Sequence, residues 1–248
     1  MLSIIVDFFA YCNSNLPFYK HGMFKNVMYW VESFINISMF KKILCIGCSL
    51  TYGEELKSPS QTSWPSLLGR INDWDVTNAG KYRSSNDRIM RVLFEELDNK
   101  YDLIIIAWSQ TSRFEIMQNS NYRDVNLNCP IIRNFKWAEE YYKYYYDLND
   151  SYRKWIQQII LLQSYMEKIN QPYIFCNAFS DMSNLPKIDN IMTLASKVNT
   201  KYYLGWMSDS IMDWTKFTPH GPGHHPLEEG HVIIADKINN FIHKVYPN

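Results

Sequence analysis

The sequence predicts one α/β domain built on a parallel sheet with helices on both faces. Three observations lead there. The 248 residues suffice for one domain with a sizeable core and are few for two. Short apolar runs alternate with amphipathic stretches along most of the chain, the pattern of repeated β-α units. One run, Leu103–Trp108, is apolar throughout, as a parallel strand buried on both faces must be.

The alternation begins after Met39. Ile43–Ile46 reads as a short buried strand. Pro65 opens a helical stretch with Trp64, Leu67, Leu68 and Ile71 on one face, and Trp74–Thr77 is a second strand. Ser84 and Asp87 form an S-x-x-D capping box for a helix carrying Ile89, Val92, Leu93 and Leu97. Asp102 introduces the third strand, Leu103–Trp108. Residues 109–149 read as a long tyrosine-rich connection. Trp155, Ile159, Leu162, Met166 and Ile169 then repeat at helical spacing. Tyr173–Cys176 is the next strand and Tyr202–Leu204 a weaker one. Pro226, suited to the first helical position, opens a last helix with Ile234, Ile238, Phe241, Ile242 and Val245 towards the core.

Residues 1–38 read differently. Their two apolar stretches, Leu2–Cys12 and Val27–Ile37, both fall short of the roughly 18 to 20 apolar residues of a membrane span, and no basic segment precedes the first. The expectation is an accessory N-terminal segment, or a start placed too early, before a domain spanning 39–248, with no membrane span, no secretory signal and a cytoplasmic location.

Composition narrows the function. Lys+Arg and Asp+Glu balance at 25 each, so no global field would draw in nucleic acid. The five cysteines, Cys12, Cys45, Cys48, Cys129 and Cys176, are odd in number and irregular in spacing, against a disulfide framework. Cys45 and Cys48 form a CxxC, but Cys45 lies in an apolar strand and no second pair exists to complete a zinc site, so both read as structural.

Ligands of a parallel sheet bind beyond the carboxyl ends of its strands, which singles out the loops Gly47–Gly53, Asn78–Ser85 and Ser109–Glu115. Six of the nine glycines fall in these loops or just before the last helix, where the backbone must turn sharply or approach a ligand. The first loop, Gly47-Cys48-Ser49-Leu50-Thr51-Tyr52-Gly53, projects a serine hydroxyl at that edge, and the Ser49 N–H can point at a developing oxyanion. Thr51 stands where a G-x-S-x-G elbow would need glycine, so the α/β-hydrolase fold fits poorly. Near the other end lies Gly223-His224-His225-Pro226-Leu227-Glu228-Glu229-Gly230-His231, with His225 at a helix boundary.

Together these segments resemble the SGNH/GDSL hydrolases. The family's first block, G-D-S-L-T-x-G, is met by G-C-S-L-T-Y-G, and its last block, D-x-x-H-P-x-x-x-G-H, by His225-Pro226 and Gly230-His231. Asn78-Ala79-Gly80-Lys81-Tyr82-Arg83-Ser84-Ser85 is similar to the second block, N-x-x-x-x-G-x-S/T, and Leu103–Ser109 to the strand entering the third, G-x-N-D. The similarity covers roughly residues 41–110 and 221–240. It implies a three-layer α/β/α fold with a flavodoxin-like parallel sheet, and a serine ester hydrolase acting through an acyl-enzyme without cofactor or metal. Ser49 would be the nucleophile and His225 the general base. The oxyanion hole would draw on Ser49, Gly80, Arg83 and Ser109. The substrate would be a small-molecule or glycan ester.

Three departures matter. The glycine of the second block falls on Arg83, and the asparagine of the third on Ser109. The acid that precedes the histidine by three residues is replaced by Pro222. His225 then needs another orienting group. A backbone carbonyl near Pro222 is favoured, because proline fixes the chain and leaves its carbonyl free to accept. Asp213 is the first carboxylate alternative and Glu228 the second.

Two other classes compete with this one. His220, His224, His225 and His231 fall within twelve residues and invite a metal, but no H-E-x-x-H accompanies them. A non-catalytic binding module on the same fold would also explain the missing acid. Finally, Phe135, Trp137, Tyr141, Tyr142, Tyr144, Tyr145 and Tyr146 crowd the connection after the third strand. They suit helix packing first, and stacking on sugar rings second.

Overall fold

The computed structural model describes residues 40–126, 136–180 and 187–247. The expectation for residues 1–38 falls outside them, as do Cys12, Cys129 and Phe135.

Among the described residues the strands are β1 (Lys42–Ile46), β2 (Asp75–Asn78), β3 (Leu103–Trp108), β4 (Phe114–Gln118), β5 (Asn121–Val125), β6 (Tyr173–Asn177) and β7 (Tyr203–Leu204). The helices are α1 (Ser49–Tyr52), α2 (Pro59–Thr62), α3 (Trp64–Asn72), α4 (Asn86–Glu96), α5 (Lys136–Tyr144), α6 (Leu148–Lys168), α7 (Asp189–Ala195), α8 (Ile211–Thr215) and α9 (Glu228–Val245). Five strands form one parallel sheet in the order β2-β1-β3-β6-β7. Setting the β4-β5 hairpin aside, this is the doubly wound order 2-1-3-4-5, whose switch point lies between β1 and β3.

The pleat sorts the strand residues into two cores. Leu44, Ile46, Ile104, Ile106 and Phe175 face one layer, where Ile89 and Leu93 of α4 and Trp155, Ile159 and Leu162 of α6 meet them. Ile43, Cys45, Leu103, Ile105 and Cys176 face the other, against Trp64 and Leu68 of α3 and Ile234, Ile238 and Ile242 of α9. Every residue of β3 is buried, as its unbroken apolar run requires. The three cysteines among the described residues, Cys45, Cys48 and Cys176, are buried free thiols, and burial pushes those of Cys45 and Cys176 well up. They pack as small apolar side chains.

Three expectations need correction. The cap of α4 is Ser85, not Ser84: the Ser85 hydroxyl accepts from the Arg88 N–H, while Ser84 Oγ takes the Arg88 guanidinium. Pro226 does not begin the last helix. It pairs with His220 in an isolated antiparallel bridge, and the helix starts at Glu228. The connection 109–149 is not all loop, since it holds the β4-β5 hairpin and α5. The hairpin is tied to α4 by polar groups: Arg91 grips Glu115 with Nε and Nη2, and the N–H and hydroxyl of Ser85 both reach Asp124. Its apolar contacts are few: Phe114, Ile116 and Val125 pack with Ala138 and Tyr142 in a small separate cluster. Among the described residues, no helix is long and apolar enough to cross a membrane.

Candidate active site

Ser49 follows β1 directly. Cys48, in extended conformation, caps α1 and accepts the N–H groups of Thr51 and Tyr52. Ser49 is thus the first residue of a four-residue helix at the carboxyl edge of the sheet, where its own N–H has no intrahelical acceptor. Gly53 ends the helix at φ +89° and Glu55 follows at φ +68°. These two left-handed residues turn the chain back towards the loop that carries His225.

There the carboxylate of Glu55 accepts three hydrogen bonds, from the N–H of Gly223 (2.7 Å), the N–H of His225 (3.1 Å) and His225 Nδ1 (3.0 Å). An ionised carboxylate only accepts, so Nδ1 carries the proton and Nε2 is the basic atom of the ring. Burial alone would raise the Glu55 carboxyl. The two backbone donors and the imidazole together outweigh that and hold it below its ordinary value. A side chain on Gly221 would strike this carboxylate, its Cβ falling 2.6 Å from the carboxyl carbon. The glycine is there to admit Glu55.

The structure sets Glu55, and neither a carbonyl near Pro222 nor Asp213, against His225 Nδ1. Asp213 accepts from the hydroxyls of Ser180 (2.9 Å) and Ser210 (2.6 Å), and Glu228 sits in the first turn of α9. One signal for another acid was present, proline at the acid's usual place; the glycines at 221 and 223 flank it in a turn closed by the His224 N–H on the Gly221 carbonyl (2.9 Å).

Ser49, Glu55 and His225 line one cavity of about 550 Å³, with Arg83, Arg113, Asn126, Phe179 and His224 among its other walls. Of the four residues expected at the oxyanion hole, Ser49 and Arg83 face it. Arg83 has φ +60°, the left-handed conformation that glycine would adopt without strain. Gly80 serves otherwise. Its N–H donates to Asn78 Oδ1, and it lies too close to the Thr51–Tyr52 backbone for any side chain. Ser109 is fully buried, its backbone clamped on both sides by the Asn86 amide (2.8 and 2.9 Å). Its hydroxyl accepts from Arg113 Nη1 (3.1 Å), and Arg113 occupies the cavity wall in its place. Glu55, Asn86 and Arg113 were not found from sequence.

Glu55, Arg83 and His224 (φ +63°) are three of nine non-glycine residues with positive φ among the described residues. Each such residue costs about 1–2 kcal/mol, and the surrounding structure must hold it there.

Among the described residues no three His, Cys, Asp or Glu side chains gather as a metal site would need. His220 Nδ1 meets the Thr218 carbonyl at 2.8 Å, and His225 Nδ1 meets Glu55. His231 is buried and its Nδ1 accepts the Trp64 N–H at the start of α3 (3.1 Å). Burial, with the charge of His225 and against that of Glu228, lowers the His231 pKa to about 4 from 6.5. The unfolded chain then binds a proton that the folded one refuses between those values. Stability is unaffected above pH 6.5 and falls as the pH drops towards 4, by on the order of 3 kcal/mol. Urea unfolding at pH 7.5 and pH 4 is expected to show this loss, and the difference should shrink in His231→Gln. An equal pH difference in both proteins would refute it.

The fold is that of the SGNH/GDSL hydrolases. The psychrotrophic esterase EstA from Pseudoalteromonas sp., in a structure inhibited by monoethylphosphonate, is 14% identical, with 84% of this chain and 100% of that chain covered at a TM-score of 0.51. Lower TM-scores, 0.44 and 0.40, relate the chain to a catalytic mutant of the acetylxylan esterase Axe2 from Geobacillus stearothermophilus and to a member of the lipolytic protein G-D-S-L family from Veillonella parvula DSM 2008. Both are 13% identical; they cover 82% and 81% of this chain and 94% and 97% of their own. The chain belongs to the family described as "Family of unknown function (DUF6071)", whose model matches residues 54–246. No curated protein sequence matches it.

Proposed function

We propose that the chain is a serine-dependent ester hydrolase with Ser49 as nucleophile, His225 as general base and Glu55 as the carboxylate that orients the base. The observation that carries this reading is the 3.0 Å pair of Glu55 and His225 Nδ1 in the wall of the cavity that Ser49 also lines. It supplies the acid that Pro222 displaces, from the nucleophile's own loop.

In the proposed reaction His225 Nε2 takes the proton of Ser49 Oγ as Oγ attacks the ester carbonyl carbon. The N–H groups of Ser49 and Arg83 hold the oxyanion, each contributing about 2.7–4 kcal/mol. The alcohol leaves with the proton from His225. Water, deprotonated by the same nitrogen, then releases the acid and frees Ser49. No cofactor takes part. Short-chain acyl esters are the default substrates and an O-acetylated glycan the preferred natural one. The catalytic domain is taken as residues 39–248, with 1–38 accessory to it or preceding its true start.

An organophosphonate ester tests the reading directly. It is expected to stop p-nitrophenyl acetate turnover and to leave one adduct per chain, on the peptide containing Ser49. Full turnover after treatment, or an adduct elsewhere, would overturn it. Longer p-nitrophenyl acyl chains, run beside the acetate, define the acyl pocket.

A further inference from the structure

The resemblance puts a side-chain amide donor at position 109, and this chain has Ser109 there. Ser109 does not line the Ser49 cavity. It is fully buried, with its N–H and its carbonyl both held by the Asn86 side chain. Its hydroxyl serves Arg113 instead. After β3 the chain turns, closed by the Arg113 N–H on the Gln110 carbonyl (3.2 Å), and side chain 113 comes back to residue 109. There Nη1 donates to Ser109 Oγ (3.1 Å) and lies 3.5 Å from the Ser84 carbonyl oxygen, while the guanidinium carbon sits 4.9 Å from the centre of the Phe179 ring.

Those contacts fix the guanidinium without using all of it. Nε is buried and unpaired, so Nη2 is the nitrogen left with neither burial nor a hydrogen-bond partner among the described residues. Arg113 lines the Ser49 cavity and forms no ion pair among the described residues. Two carboxylates, Glu54 and Glu55, line the same cavity, and neither pairs with it; Glu55 is spent on the His225 loop. A cation aimed by a buried hydroxyl, in the nucleophile's cavity and with no counter-charge of its own, is suited to negative charge that appears only during reaction.

We propose that Arg113 is a further catalytic residue, donating from Nη2 to the ester carbonyl oxygen as Ser49 adds to the carbon, and that Ser109 is the positioning residue that aims it. The assignment rests on the ester-hydrolase reading above. As the Oγ–C bond forms, the carbonyl π electrons move onto that oxygen; Arg113 keeps its proton and supplies the hydrogen bond alone. A charged donor bonds an oxyanion more strongly than the neutral carbonyl before it, so its effect falls on kcat rather than on KM.

Steady-state kinetics of the full chain on p-nitrophenyl acetate test this. Arg113→Ala is expected to lower kcat about 10²- to 10³-fold, with KM changed less than about threefold. Ser109→Ala removes the acceptor of Nη1 and should lower kcat about tenfold in the native background, with no further loss in Arg113→Ala. Millimolar guanidinium should return part of the rate to Arg113→Ala and none to Ser49→Ala, a rescue that a merely structural arginine would not show. If Arg113→Ala loses its cooperative thermal transition, Arg113→Lys replaces it and is expected to lose about tenfold in kcat with KM kept. A folded variant whose kcat stays within about threefold of the native value overturns the proposal. So does a change confined to KM, which would make Arg113 a binding group, or fully additive losses on combining the Ser109 and Arg113 exchanges. A larger kcat loss in Asn126→Ala would pass the role to that neighbour in the cavity wall. The phosphonate separates the two readings. An adduct on Ser49 with undiminished kcat in the Arg113 variants keeps the esterase and removes Arg113 from it, whereas a native chain with neither turnover nor adduct loses both.

Discussion

Replacing Ser49 by alanine is expected to lower kcat for p-nitrophenyl acetate about 10⁶-fold while the chain keeps its cooperative thermal transition. The exchange removes one oxygen at the edge of the sheet and leaves the backbone of α1 capped by Cys48. His225→Ala should fall by a similar factor, and the double variant no further, because in the proposed reaction the two groups act in one proton transfer. His224, whose ring takes no part in that transfer, should keep most of its activity on exchange to alanine. Unchanged turnover by folded, purified Ser49→Ala would sink the nucleophile assignment. Loss in His224→Ala rather than His225→Ala would move the base by one residue.

Glu55→Gln should cost about 10³- to 10⁴-fold in kcat. Glutamine fits the space but brings an amide that can donate to Nδ1, which favours the tautomer whose Nε2 already holds a proton and cannot act as base. Glu55→Asp is expected to recover part of the rate, since it keeps the charge and loses reach. Asp213→Asn should leave kcat within about tenfold, because its carboxylate serves Ser180 and Ser210 and does not meet the imidazole. A thousandfold loss in Asp213→Asn, or a loss below tenfold in Glu55→Gln with the fold intact, would reverse the assignment.

What the sequence made legible was whatever hydrophobic spacing encodes. β3 is predicted to the residue, because a strand buried on both faces leaves no polar position to blur its ends. The core face of α6 followed from its period through Trp155, Ile159, Leu162 and Met166, but Ile169 lies past the helix end and is exposed, and the helix starts at Leu148, where Asp147 caps it by accepting the Asp150 N–H. The β4-β5 hairpin was missed because Arg91, Ser85 and Asp87 hold it through charge and hydrogen bonds. Ser49 and His225 could be picked out by motif, and the structure brings both to one cavity. Glu55 could not, for a reason of geometry. It lies two residues beyond Gly53, and only the left-handed pair Gly53 and Glu55 turns its side chain towards residues 168 and 170 positions away.

That one carboxylate is both the partner of the imidazole and the tether of the loop bearing it. Its pKa is lowered in the folded chain, so its contribution to stability is complete above the ordinary value of 4.5 and fades as the pH falls through the lowered one. Protonation would take the imidazole's orienting charge and two backbone anchors in a single event. The loop from Gly223 to His225 thus hangs on a single acceptor, and whatever neutralises that acceptor weakens all three of its bonds together.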